Sequence, residues 1–284
     1  MTIFAVHFFK TNITMKTSFL SSTLLALAIT SLFIACNKEA EIGPNDTNTV
    51  VLEFENRVGT QPLVLGLTTY KNASNEDFNV TTFNYFISNI ALKKDDGTVL
   101  KLTNQYFLIR TADAATSRVE LKNVPAANYT EVSFMIGVDS TKSVSDVGQR
   151  IGVLDIASYT NDNMYWSWNS GYIFMKFEGT SPVVPLSTNG TRKFEMHVGG
   201  FGGMTSKVTN NLRTVTLALP SSATVRKKIA PEVHFFTDVA KIFSGTTTIK
   251  LAETNSIHSP SAAAPIVNNY VKMFTVDHVH NEKD

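Results

Sequence analysis

The sequence predicts an all-β protein: an antiparallel β-sandwich carrying one or two short helices near the C-terminus. Two observations predict it. Apolar residues recur at every second position in one short segment after another, the period of a strand with one buried face. Turn residues separate those segments, and many short strands punctuated in this way mean a sandwich. In chain order, Val50-Val51-Leu52-Glu53-Phe54 opens the first strand. Residues 82–93 (TFNYFISNIALK) put Phe83, Tyr85, Ile87 and Asn89 on one face. Residues 129–138 do the same with Val132, Phe134, Ile136 and Val138, and the pattern repeats over 171–177, 191–198, 212–219 and 232–236. Asp95-Asp96-Gly97, Pro125, Asn189-Gly190 and Pro220 supply turn chemistry between them. Asp238 is placed to cap a short helix over 239–243, and residues 265–274 space Ile266, Tyr270, Met273 and Phe274 as a helix does. No internal repeat and no linker rich in Gly, Pro or Ser interrupts residues 50–284, which are expected to form a single domain.

Residues 1–35 are expected to be a lipoprotein signal peptide. Lys10 and Lys16 precede an apolar run over 18–35 that closes on Phe33-Ile34-Ala35-Cys36. A basic segment, an apolar segment and a small residue before the cut make a secretory signal. A cysteine directly after the cut is the lipobox arrangement, with Cys36 diacylated as the mature N-terminus. The run is also as long as the shortest membrane-spanning helix, so a plain transmembrane anchor is the alternative. An acyl chain holds a domain at a membrane without spanning it, and the polar residues 36–49 then act as a flexible tether. Lys38-Glu39 resembles the charged export signal of Bacteroidetes surface lipoproteins. The expected location is the outer membrane, facing the periplasm or the cell surface.

Charge and cysteine usage exclude several functions. The 25 Lys and Arg against 24 Asp and Glu leave a net charge of +1, so no basic surface argues for nucleic acid. Cys36 is the only cysteine. Once it carries lipid, neither disulfide nor thiolate remains, and any metal must be held by nitrogen, oxygen or thioether ligands. No nucleophile elbow, Walker loop, HExxH or dinucleotide fingerprint occurs, and the expectation is a protein without catalytic activity.

The histidines and tryptophans carry the remaining chemistry. In Phe194-Glu195-Met196-His197-Val198-Gly199-Gly200, the apolar residues share one face, so His197 points the other way with Glu195. That is the place of a half-exposed strand histidine or of a ligand, and the glycines after it allow close backbone approach. His234 alternates against Val233 and Phe235 and suits a core, an interface or a ligand. His278 and His280, at i and i+2, would share a face and can chelate, but they lie at a chain end where fraying is expected. Trp166 and Trp168, the only tryptophans, fall in MYWSWNSGYIF over 164–174 with the same parity, so both rings share a face in extended chain. They can plug a sandwich end or form a platform for sugars or an interface hot spot.

Five segments in order, Asn84-Tyr85-Phe86-Ile87-Ser88-Asn89-Ile90, Ile136-Gly137-Val138-Asp139, the Met164-Tyr165-Trp166-Ser167-Trp168-Asn169-Ser170-Gly171-Tyr172 run, Lys176-Phe177-Glu178-Gly179 and His197-Val198-Gly199-Gly200, resemble the MbnP-like family. These are periplasmic or lipid-anchored β proteins named after a methanobactin-associated copper-binding protein, and the resemblance runs from residue 50 to the C-terminal helix. It implies copper handling beside a di-haem cytochrome c peroxidase-like partner, which in the namesake oxidises a tryptophan to kynurenine. By the same resemblance His197 matches the histidine of the family's HxGG, and Trp166 or Trp168 matches the oxidisable position; imidazole suits copper. Copper-binding members carry a histidine in the first strand, where this chain has Asn56 in Phe54-Glu55-Asn56-Arg57. A site missing that imidazole would bind weakly, or would use another ligand such as His234, Glu232 or a methionine. The expected function is therefore a lipid-anchored copper-binding protein and peroxidase substrate. The alternative is a metal-independent surface or assembly lipoprotein that uses its aromatic patch for glycan or protein contact.

Overall fold

The computed structural model describes residues 42, 43, 45–159 and 162–283. The expected signal peptide and Cys36 lie outside them. Among the described residues fourteen strands form two sheets. The five-stranded sheet contains β1 (Thr47–Val58), β2 (Gln61–Pro62), β6 (Arg118–Pro125), β12 (Ile229–Asp238) and β14 (Phe274–Lys283). Its order is β14-β12-β1-β2, with β6 also on β1. The nine-stranded sheet contains β3 (Tyr70–Lys71), β4 (Asp77–Lys94), β5 (Val99–Arg110), β7 (Ala127–Ile136), β8 (Tyr165–Trp166), β9 (Gly171–Thr180), β10 (Lys193–Gly199), β11 (Arg213–Val225) and β13 (Ser256–Ile257). Its spine runs β11-β7-β4-β9-β10-β13.

The alternation of apolar residues does what the period requires. Val50, Leu52 and Phe54 point inward from β1, while Val51 and Glu53 point outward. The inward rings of the two sheets meet in one core. Phe54 stands edge-on to Phe134 at 5.8 Å and stacked on Phe235 at 5.1 Å, and Phe134 meets Phe274 at 5.0 Å. Such pairs add about 0.5–1.5 kcal/mol each beyond the area they bury.

The sheets are mixed rather than wholly antiparallel, because β1 pairs β12 in parallel and β10 pairs β13 in parallel. Alternation says which face is buried but not which way a neighbour runs, and parallel partners require long crossovers. Pro220 lies inside β11, not at a turn between strands. It is tolerated there because the pairing with β7 lapses between Ala218 and Ala223, so no ladder bond is lost. The short C-terminal helices occur: Asp238 Oδ1 accepts from the amide of Ala240 at 3.0 Å ahead of Ala240–Phe243, and Ala264–Tyr270 forms a second helix. Beyond it the chain does not fray. It returns as β14 and pairs along β12 from Phe274 to Lys283.

One departure from simple alternation positions chemistry. In β4, residues 83–88 are buried on both faces. The outward members face a second apolar cluster, in which Phe86, Leu108 and Phe174 are covered by Leu154, Met164, Trp166 and Tyr172. A strand covered on both faces reads as a continuous apolar run. The outer face of the nine-stranded sheet is thus covered by the segment holding the tryptophans. Among the described residues no helix is long and apolar enough to cross a membrane.

Candidate metal centre

His197 and His234 lie on opposite outer faces of the sandwich. His197 projects outward from β10, whose Phe194, Met196 and Val198 enter the core. His234 projects outward from β12, whose Val233 and Phe235 enter the core from the other sheet. The structure does not bring these two histidines together.

Around His197 the outer face is polar and closely bonded. Register places Lys176 beside His197 and Glu178 beside Glu195. His197 Nε2 lies 2.7 Å from Glu178 Oε1, and Lys176 Nζ lies 3.8 Å from the same oxygen. The hydrogen bond with His197, helped by the Lys176 charge and resisted by burial, draws the Glu178 carboxyl down to about 2. A second imidazole, His258, follows β13 and stands edge-on to His197 at 4.6 Å, with its Nε2 3.3 Å from Glu195. No local pattern in the sequence singles out His258; it reaches the site because β13 pairs parallel to β10. Further along the same face, Asp162 accepts from Arg110 at 2.5 Å and from Asn84 at 3.3 Å.

The tryptophan segment and the glycine segment after His197 form one interlocked unit. Trp166 and Trp168 are stacked at 4.9 Å with their planes 24° apart; Trp166 is 9% exposed and Trp168 43%. Trp166 lies against Gly199, where an added Cβ would come within 2.6 Å of the ring and 2.7 Å of the Tyr172 carbonyl. Asn169 Oδ1 accepts from the amides of Met204 and Thr205 at 2.9 and 2.7 Å, and its Nδ2 donates to the Ser206 carbonyl at 2.7 Å. Gly203 is the residue that loop needs, with φ +101° and no room for a Cβ beside the Ser206 carbonyl. His197, two residues before Gly199, is thereby held near the tryptophan pair. The other family-like segments are braced too: Asp139 accepts from Tyr106 at 2.5 Å and from Asn89 at 3.1 Å.

Asn56 is not part of this face. It turns between the sheets, accepting from Tyr85 at 3.0 Å and donating to Thr111 at 2.9 Å. Tyr85 also lies 3.1 Å from the Thr237 hydroxyl, and burial pushes its phenol far up.

The outer face of the five-stranded sheet carries a second group. Register sets Arg118, Glu53, His234 and His278 side by side across β6, β1, β12 and β14, with Glu232 opposite His280 in the next row. Arg118 bonds Glu232 through both terminal guanidinium nitrogens and Glu53 at 3.0 Å. Glu53 is raised from its ordinary value, first by the hydrogen bond it shares with Glu232 and then by burial. For Glu232, burial raises the carboxyl, but hydrogen bonds with Arg118 and Glu53 outweigh it and the net direction is down. His234 is lowered, chiefly by burial. Among the described residues two groups of three bring ligand atoms within 4.8 Å of one another: His234 with His278 and His280, and His234 with Glu53 and Glu232.

The family model of MbnP matches residues 47–259. The chain belongs to the MbnP family. A solved structure of MbnP from Methylosinus trichosporium is similar to it at 16% identity, with a TM-score of 0.45, over 75% of this chain and 80% of that one. No curated protein matches it. The MbnP match covers His197, His234 and both tryptophans, and ends short of His278 and His280.

Proposed function

We propose that this MbnP-family chain is an exported, lipid-anchored protein that handles copper and has no catalytic activity of its own. The supporting observation is the pairing of His197 with His258, each backed by a carboxylate, beside the stacked tryptophans. Glu178 is ionised and can only accept, so His197 Nε2 carries the hydrogen and Nδ1 offers the lone pair. A carboxylate behind a ring nitrogen is how ligating histidines are commonly oriented. Two imidazoles without a thiolate fit copper by donor type. When bound, copper would supply a redox-active centre near an oxidisable ring. The chain's own part is to orient the imidazoles, keep Glu178 ionised behind one of them, and shield Trp166 while leaving Trp168 open. Trp168 is then the ring that a di-haem cytochrome c peroxidase-like partner reaches. Cys36, as the lipidated residue, and residues 36–49, as a tether, would hold the domain at the outer membrane.

Copper uptake by the full chain tests the centre. His197→Ala should weaken it by at least about tenfold, since an imidazole ligand is lost, and uptake equal to that of the unaltered chain would remove His197 from the site. Co-expression with the peroxidase should convert tryptophan to kynurenine in the peptide holding Trp166 and Trp168, and the unmodified mass would count against that role.

One observation favours the metal-independent reading. Trp168 lines an open pocket of about 540 Å³ with Lys207, Thr209, Ser259 and Pro260. An exposed indole beside hydroxyls and an ammonium suits a glycan, and that reading expects Trp168→Ala to abolish binding with no effect of chelators.

A further inference from the structure

A feature of β14 that alternation alone would not produce sets up a second metal site. Phe274 and Val276 turn toward the core. Strict alternation would send His278 inward after them. Instead the pairing with β12 shifts: Phe235 faces Val276 and His234 faces His278, so Asp277 is an extra residue. This β-bulge reverses the parity, which is why Val279 packs on the core only three residues after Val276. His278 and His280 are thereby swung onto the outer face, opposite His234 and Glu232.

We propose that His234, His278 and His280 form a binding site for a divalent transition-metal ion on the outer face of the five-stranded sheet, separate from the His197 region. The three rings are in mutual contact, with centroids 4.3, 4.4 and 5.2 Å apart. Two nitrogens bound to one ion at about 2.0–2.1 Å stand about 2.8–3.4 Å apart for right-angled to tetrahedral geometry. His278 Nε2 and His280 Nε2 are 2.8 Å apart, and the three ligand atoms lie within 4.8 Å of one another. The hydrogen between the first two nitrogens belongs to His280 Nε2, so ligation there has His280 take its other tautomer, with the hydrogen on Nδ1.

The bulge residue supplies the supporting contact. Asp277 Oδ2 lies 2.7 Å from His278 Nδ1, which fixes the hydrogen there and turns the Nε2 lone pair toward the cluster. The acidic side of the patch already has its cation, because Arg118 bridges Glu53 and Glu232. That places the ion among the imidazoles, with Glu232 Oε1 3.4 Å from His234 Nε2 behind it. Three nitrogens and no sulfur suit Zn²⁺, Ni²⁺ or Cu²⁺, and three protein ligands leave a coordination position to water.

Calorimetric titration of Zn²⁺ into the full chain tests the site. His280 is exposed, so His280→Ala is expected to fold, and it should weaken Zn²⁺ binding by more than about tenfold. Asp277→Asn, which removes only the supporting carboxylate, should weaken it about tenfold. Thr275→Ala on the same strand should leave it unchanged. Zn²⁺ affinity of His280→Ala within about twofold of the unaltered chain, with the fold intact by circular dichroism, overturns the proposal.

Discussion

The two histidine faces are built in opposite ways. The His197 face is covered: its imidazole is nearly buried, its carboxylate partner is held by a lysine, and the tryptophan segment is locked over the glycine run that follows. The His234 face is open, with His280 exposed and Arg118 half exposed over its acids. On the covered face the chemistry cannot be separated from packing, so altering it should cost the fold. On the open face the same residue types are carried by backbone pairing alone, and altering them should cost only binding.

The sharpest way to break that contrast is Trp166→Ala. It empties a site in the second apolar cluster and should destabilise the chain by about 3–5 kcal/mol in urea unfolding. A loss under about 1 kcal/mol would mean the tryptophan cover is not integral to the sheet. Gly199→Ala drives a Cβ against the Trp166 ring and the Tyr172 carbonyl and should cost about 1–3 kcal/mol through overpacking. Third comes an acid-range effect. Glu178 stays ionised in the folded chain down to about 2, whereas unfolded it takes its proton near 4.5. The stability it adds is therefore complete above pH 4.5 and lost as pH falls toward 2. Glu178→Gln should flatten the stability–pH slope in that window by up to about one proton, and an unchanged slope would refute the His197–Glu178 pairing. On the open face, Arg118→Ala should cost only about 0.2–1 kcal/mol, as for exposed ion pairs. His280→Ala in metal-free buffer should stay within about 0.5 kcal/mol. A large loss from either would show that the open face also supports the fold.

Much of this is legible in the amino-acid order. The outward direction of His197 and Glu195 follows from Phe194, Met196 and Val198 turning inward, and the helix over Ala240–Phe243 follows from Asp238. Other parts are not legible there. β5 has few buried positions and a left-handed Asn104, so it shows little alternation. The chain end holding His278 and His280, expected to fray, is ordered because the paired β12 lies beside it. Asn56, which stands where the family's first-strand histidine is expected, is committed to a hydrogen-bonded network between the sheets.

The amino-acid order by itself determined the all-β character, the faces of most strands and membership of the MbnP family, because alternation and motif order are local properties of one chain. Only the tertiary structure decided that His197 and His234 stand on opposite faces. It likewise brought His258 to His197 through a parallel strand, seated Trp166 on Gly199, and turned His278 and His280 toward His234 by one extra residue. Register and bulges are set by which distant strands pair, and shifting a strand by one residue sends every later side chain to the other face.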